Sequence, residues 1–152
     1  MLCLLAMDNF EFVYELNRAV NALNSYVDAC IASKSGLTRA QCVALMLIER
    51  FPDITKSELA RKLNCSHVAA GRLVAILVGK NYISDTPSER NQHIVYLHVT
   101  HAGKDIIERI KEVFGQQSAD LFAHVETKVN VPILSEQLGI FTDILSLYKI
   151  RA

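Results

Sequence analysis

Thr55 to Gly103, TKSELARKLNCSHVAAGRLVAILVGKNYISDTPSERNQHIVYLHVTHAG, is the stretch whose reading decides the fold. Thr55 with Glu58 three residues later forms a reciprocal capping box, in which each side chain satisfies a backbone N–H that the start of a helix leaves open. Leu59 and Leu63 then face inward, and this short helix ends near Asn64. Ser66 caps the next helix, and Leu63-Asn64-Cys65-Ser66 between them has the length of a helix-turn-helix corner. Along that second helix, Ser66 to Lys80, the residues Ala70, Leu73 and Leu77 share the inner side, while Val68, Gly71, Arg72 and Ala75 share the outer. A solvated helix face normally carries several charges. One built of Val, Gly and Ala around a single Arg implies close approach of a partner surface. In a DNA major groove Arg72 would reach guanine or phosphate, and Val68 a thymine methyl group.

After Lys80-Asn81 the apolar period changes to two. Tyr82 to Thr86 and Ile94 to Val99 read as strands, with Val95, Leu97 and Val99 inward and Tyr96 and His98 outward. The polar run Pro87 to His93 makes the hairpin tip. A hairpin directly after a helix-turn-helix is a wing, and Arg90 at its tip suits minor-groove or phosphate contact.

Charge follows the same boundaries. The 152 residues carry no formal net charge, yet residues 55 to 104 hold seven Lys/Arg against three acids, and the remainder is correspondingly acidic. A local basic patch is what phosphate binding requires. Four of the five histidines (His67, His93, His98 and His101) fall in the same segment, so its charge rises further below pH ~6.5.

Working outward, Leu37-Thr38-x-x-Gln41 opens another capped helix, which Phe51-Pro52-Asp53 closes because the proline ring disfavours helical geometry in the residue before it. Upstream, from about Asp8 to Ser33, Val13, Leu16, Val20, Leu23, Val27 and Cys30 recur at alternating spacings of three and four, and Lys34-Ser35-Gly36 ends the helix. Such a stripe serves an intramolecular core or a dimer seam, and a single period does not separate the two. Downstream, Thr100 caps a long helix with Ile106, Ile110, Val113, Gln117, Leu121 and Val125 on one side and Gly115 as a flexure. Pro132 then opens a last helix, where Leu134, Leu138, Phe141, Leu145 and Tyr148 repeat the spacing of the first. The fold class is therefore mainly α with a small β-hairpin wing, a winged helix-turn-helix flanked by long helices, in one domain over 1–152.

Other chemistries find little support. The apolar opening MLCLLAM is too short for a signal-peptide core, and no run reaches membrane-spanning length. Cys3, Cys30, Cys42 and Cys65 are well separated, so free thiols in a reducing cytoplasm are expected. Cys65 precedes a helix N-terminus, where a thiol can be activated, although a buried thiol behaves as a small apolar core residue. His98-x-x-His101 straddles a strand end and a helix start, which does not promise a common metal geometry. No nucleophile turn, phosphate loop or paired carboxylates stand out, so neither an enzyme nor a bound cofactor is expected.

The order and spacing of Leu37-Thr38-x-x-Gln41, Ser57-Glu58-Leu59-Ala60-x-x-Leu63, Gly71-Arg72-Leu73-Val74-x-x-Leu77 and Val99-Thr100-x-x-Gly103 resemble the MarR family of winged-helix transcription regulators. The resemblance covers nearly the whole chain. It implies a homodimer, with dimerisation helices over 8–36 and 104–152 and a DNA-binding region over 37–103. The two recognition helices would enter successive major grooves of a palindromic operator, as a repressor does, and a small-molecule effector would release them. Carried onto this sequence, the recognition-helix contacts are Ser66, His67, Val68, Gly71 and Arg72, and the wing contacts Arg90, Gln92 and His93. Thr55, Lys56 and Lys80 reach phosphates, and Val13, Leu16, Val20, Leu134, Leu138, Phe141 and Leu145 form the dimer seam. Ile76 and Val78 stand where charged residues are common in the family, and two further departures stand out. Asn91-Gln92-His93 replaces the family's Asp-Arg-Arg run at the wing, and Gly71 stands where Thr or Ser is usual. These departures feed an alternative: a winged-helix interaction module, or an antirepressor, that docks a protein on Val68, Ala75, Ile76 and Val78 and binds DNA weakly or not at all.

Overall fold

The structure, a computed structural model, describes residues 9–32, 35–88 and 94–148. In chain order the elements are α1 (Asn9–Ala32), α2 (Arg39–Arg50), β1 (Ile54–Thr55), α3 (Lys56–Lys62), α4 (His67–Gly79), β2 (Ile83–Pro87), β3 (Val95–Val99), α5 (His101–Glu126) and α6 (Val131–Leu147). The chain divides into two compact units, 1–114 and 115–152. Their boundary falls at Gly115, the residue expected to act as a flexure, although α5 continues through it as helix.

In the first unit α2, α3 and α4 pack on a three-stranded antiparallel sheet of order β1-β3-β2. Leu45 of α2, Leu59 of α3, Leu77 of α4, Ile83 of β2, Leu97 of β3 and Ile107 of α5 are its most enclosed side chains. Burying each of these aliphatic groups contributes about 1.5–3 kcal/mol, and together they fix the helices to the sheet. The register pairs Ile83 with Val99, Asp85 with Leu97 and Pro87 with Val95. Pro87, read in the sequence as part of the hairpin tip, thus ends β2, on the flank of the sheet away from β1, where no further strand needs its missing N–H.

β1 is the one element the sequence did not announce. Two residues cannot show a period, and Ile54 and Thr55 pair with Leu97 and Tyr96 only because β3 lies beside them. The inner face of α4 is also slightly rotated from expectation. Ala70, Val74 and Leu77 are the buried residues, at spacings of four and three, and Leu73 packs against the same core half-buried.

The stripe of α1 divides along its length. Cys30 and Ile31 are buried in the first unit and Val27 packs against that core, whereas Val13, Val20 and Leu23 are exposed. An ion pair of Arg39 with Asp28, at 3.2 Å, ties the end of α1 to the start of α2.

In the second unit, Asn130 caps α6 by accepting the Ile133 N–H at 3.1 Å, a cap the sequence reading overlooked. The helix opens at Val131, one residue before Pro132. No residue of α6 is buried. Beside Leu134, Leu138 and Leu145 it exposes a second apolar stripe, Ile133, Ile140, Ile144 and Leu147. A helix bare on so wide an apolar face is stabilised in water chiefly by what covers it.

Candidate nucleic-acid interface

The interface begins with the cap of α3. Glu58 Oε2 accepts the Thr55 N–H and the Thr55 hydroxyl, both at 2.9 Å, and Thr55 Oγ1 accepts the Glu58 N–H at 3.2 Å. The backbone N–H of Thr55, then its hydroxyl, hold the Glu58 carboxyl below its ordinary 4.5. The box leaves Thr55 and Lys56 at the front of the helix, where with Ser57 they line a hollow against Ile94 and Val95 of the wing side. Ser57, Ile94 and Val95 were not among the contacts expected from the sequence, because only the β1–β3 pairing brings the wing strand to α3.

The corner that aims α4 depends on Asn64. Its φ of 51° lies in the left-handed region, and the next N–H, Cys65, reaches back to the Ala60 carbonyl at 3.0 Å. This closes α3 with the hydrogen-bond pattern usually built on glycine. Ser66 then accepts the Ala69 N–H at 3.2 Å and starts α4. The far end repeats the device: Asn81 has φ 58°, and the Tyr82 N–H reaches the Leu77 carbonyl at 2.9 Å.

Between these two asparagine turns the predicted contacts come together. Ser66, His67, Val68 and Arg72 are exposed on the first half of α4 and Gly71 is half-buried among them, while Lys80 is exposed at the C-cap. Val68 is 65% exposed, a high value for an aliphatic side chain on a helix without a partner. No acid lies on α4. Among the described residues Lys56, Arg61, Arg72, Lys80 and Lys104 form no ion pair. Lys62 lies over the Phe51 ring at 3.5 Å. His98 is 3.9 Å from Asp53, and His101 is 3.2 Å from Asp105. Arg90, Gln92 and His93 lie outside the described residues.

The start of α5 is locked to the end of α4. The Thr100 N–H donates to the Tyr82 carbonyl at 3.0 Å, and the Thr100 hydroxyl donates to the Asn81 carbonyl at 2.7 Å. Gly103 sits against the same Tyr82 carbonyl: a Cβ there would overlap that oxygen and lie 2.7 Å from Val99 Cγ1. This gives the Val99-Thr100-x-x-Gly103 run its structural reason.

Cys30 and Cys42 are buried, Cys65 is half-buried, and all three are free thiols. Burial pushes the Cys42 thiol above its ordinary pKa despite a hydrogen bond with Ser35, which makes it a core residue rather than a nucleophile. Among the described residues no three of His, Cys, Asp and Glu gather to hold a metal ion, and no helix is long and apolar enough to cross a membrane. Of the expected seam, Val13, Val20, Leu134, Leu138 and Leu145 are exposed, and Leu16 and Phe141 half-exposed.

Comparison with known proteins shows what this geometry is similar to. Residues 35–92 match the model of the MarR family. An HTH-type transcriptional regulator of Bacillus subtilis strain 168, YhbI, is 20% identical over 122 residues, which cover 80% of this chain and 79% of YhbI. The transcriptional regulator MosR of M. tuberculosis, solved in complex with DNA, superposes with a TM-score of 0.71 at 17% identity, over 91% of this chain and 98% of MosR. A mutant MarR from E. coli complexed with operator DNA gives 0.66 at 23% identity, over 91% and 99%. At these identities the superpositions establish the fold, a winged helix-turn-helix with flanking helices.

Proposed function

We propose that this chain, whose residues 35–92 match the model of the MarR family, is a homodimeric, sequence-specific DNA-binding transcription regulator, and not an enzyme. The observation that carries this reading is the outer face of α4, an acid-free helix surface with Arg72 at its centre and, on the elements around it, cations that form no ion pair among the described residues. Coulomb attraction brings such a face to a phosphate backbone. The small side chains Val68, Gly71 and Ala75 then let the helix backbone sit deep in a major groove, with Arg72 reaching a base edge or phosphate. Ser66 and His67 meet the groove at the helix start. Thr55 and Lys56 at the front of α3 and Lys80 at the end of α4 hold the flanking phosphates. Arg90, Gln92 and His93 extend the contact along the wing.

The dimer is supported by the exposed apolar stripes of α1 and α6, which water covers poorly and a second copy would bury. Two-fold symmetry then makes the operator a palindrome with half-sites about one helical turn, ~34 Å, apart. Repression follows from occupancy of a promoter. The effector part of the reading comes from the resemblance alone, since the apolar cavity lined by Cys30, Ile31, Ile110, Val113 and Phe114 measures about 10 Å³, room for a single water molecule. A small-molecule ligand would act by favouring one placement of α4 and shifting the population away from the spacing that fits the operator.

Titrating random-sequence duplex at several salt concentrations tests the proposal. Binding is expected to weaken steeply with salt, and Arg72→Ala to cost about 1–3 kcal/mol on a selected site. Sites selected from a random pool should be palindromic. A protein that binds no duplex even at low salt is not a DNA-binding regulator.

A further inference from the structure

We propose that the flank of α4 is a separate docking site for an amphipathic segment of another protein, one that presents a carboxylate beside bulky aliphatic or aromatic side chains. Ala69, Leu73 and Ile76 stand at spacings of four and three, one position round the helix from the outer line of Val68, Arg72 and Ala75. With Leu63 and Cys65 of the corner, Ala40 of α2 and Arg72, they line a hollow. Ile76 is 41% exposed there. The hollow is apolar apart from that one guanidinium.

A duplex has nothing to fill such a space. The only apolar group on a base edge is the thymine methyl, and a phosphate set against Leu63, Leu73 and Ile76 would lose water without gaining a hydrogen bond. A leucine or phenylalanine side chain fits, in the manner of a helix or extended segment anchored in a groove. Charge selects among such segments. Arg72 forms no ion pair among the described residues and α4 has no acid to satisfy it, so an acidic group next to the anchor gains a partner and a basic one is repelled. The docking stands without the regulator reading. What rests on that reading is the consequence: both occupants need Arg72, so the segment and the operator exclude each other.

The test selects short random peptides displayed on phage against the wild-type dimer, with counter-selection on Ile76→Glu and circular dichroism to show that each variant is folded. Enriched peptides are expected to carry Asp or Glu beside Leu, Ile or Phe. By fluorescence anisotropy they should weaken at least about tenfold on Ile76→Glu and on Arg72→Ala, and hold on Ile76→Leu. Absence of enrichment over Ile76→Glu, peptides without a carboxylate, or affinity indifferent to Ile76→Glu would each overturn the docking site. Duplex titrated on the same variants separates the two readings. DNA binding that survives Ile76→Glu and is lost in Arg72→Ala supports competition through Arg72. Peptide binding without DNA binding sinks the regulator and leaves the dock, and DNA binding without peptide binding does the reverse.

Discussion

Three side chains, or their absence, carry specific consequences. Gly103 has no room for a methyl group, because the Tyr82 carbonyl and Val99 already occupy it. Gly103→Ala is therefore expected to destabilise the fold by roughly 1–3 kcal/mol or more in urea denaturation, as overpacking against a backbone that cannot move does. Gly71 is the opposite case: nothing lies within 4 Å of a Cβ there, so Gly71→Ala should raise stability by about 0.5–1 kcal/mol through helix propensity. The same methyl group enters the space a groove wall would occupy, so duplex affinity should fall while stability rises. Unchanged affinity would remove Gly71 from the contact. Glu58 gives a pH signature. Its folded carboxyl is held below 4.5 by Thr55, so the stabilisation it provides is complete above that value and is lost as pH falls through the lower, folded pKa. The stability difference between wild type and Glu58→Gln should be constant near neutrality and shrink only on acidification below 4.5. A difference that grows toward low pH would contradict the capping geometry.

At the scale of elements, the turns are asparagine turns. Asn64 and Asn81 take positive φ where the backbone must reverse out of α3 and α4, and an L-residue with a branched side chain pays about 1–2 kcal/mol there. Asn81→Val is expected to lower the thermal midpoint and Asn81→Gly to leave it nearly unchanged. The helices themselves were legible in the sequence, because Thr38, Thr55 and Ser66 are chemical punctuation and the apolar spacing behind each is unambiguous. What escaped was set by distance in space. β1 exists because β3 lies beside Ile54 and Thr55. Leu73, placed inward, does pack half-buried against the core, but Val74 beside it is the more enclosed, and Leu73 also lines the hollow next to Cys65 and Ile76. The candidate contacts on α4 were readable from composition, since a face of Val, Gly and Ala around one Arg is visible without coordinates. The hollow at Thr55, Lys56 and Ser57 was not, because Ile94 and Val95 reach it only through sheet pairing.

For the whole molecule, the exposed stripes of α1 and α6 make a quantitative statement about assembly. Light scattering should give about twice the 17.0 kDa chain mass. Leu138 is 42% exposed in the single chain, so Leu138→Glu should leave the first unit folded, produce a 17.0 kDa species and weaken operator binding by about a hundredfold or more as the second half-site is lost. A Leu138→Glu protein that stays dimeric would move the seam elsewhere. The junction of α4 and α5 carries a further consequence. One carbonyl, that of Tyr82, receives the Thr100 N–H and abuts Gly103, and Asn81 beside it receives the Thr100 hydroxyl. Two hydrogen bonds and one close contact thus hold the first turn of α5 against the turn that closes α4, so the two helices are expected to move as a crank, a tilt at the start of α5 turning the end of α4 with it.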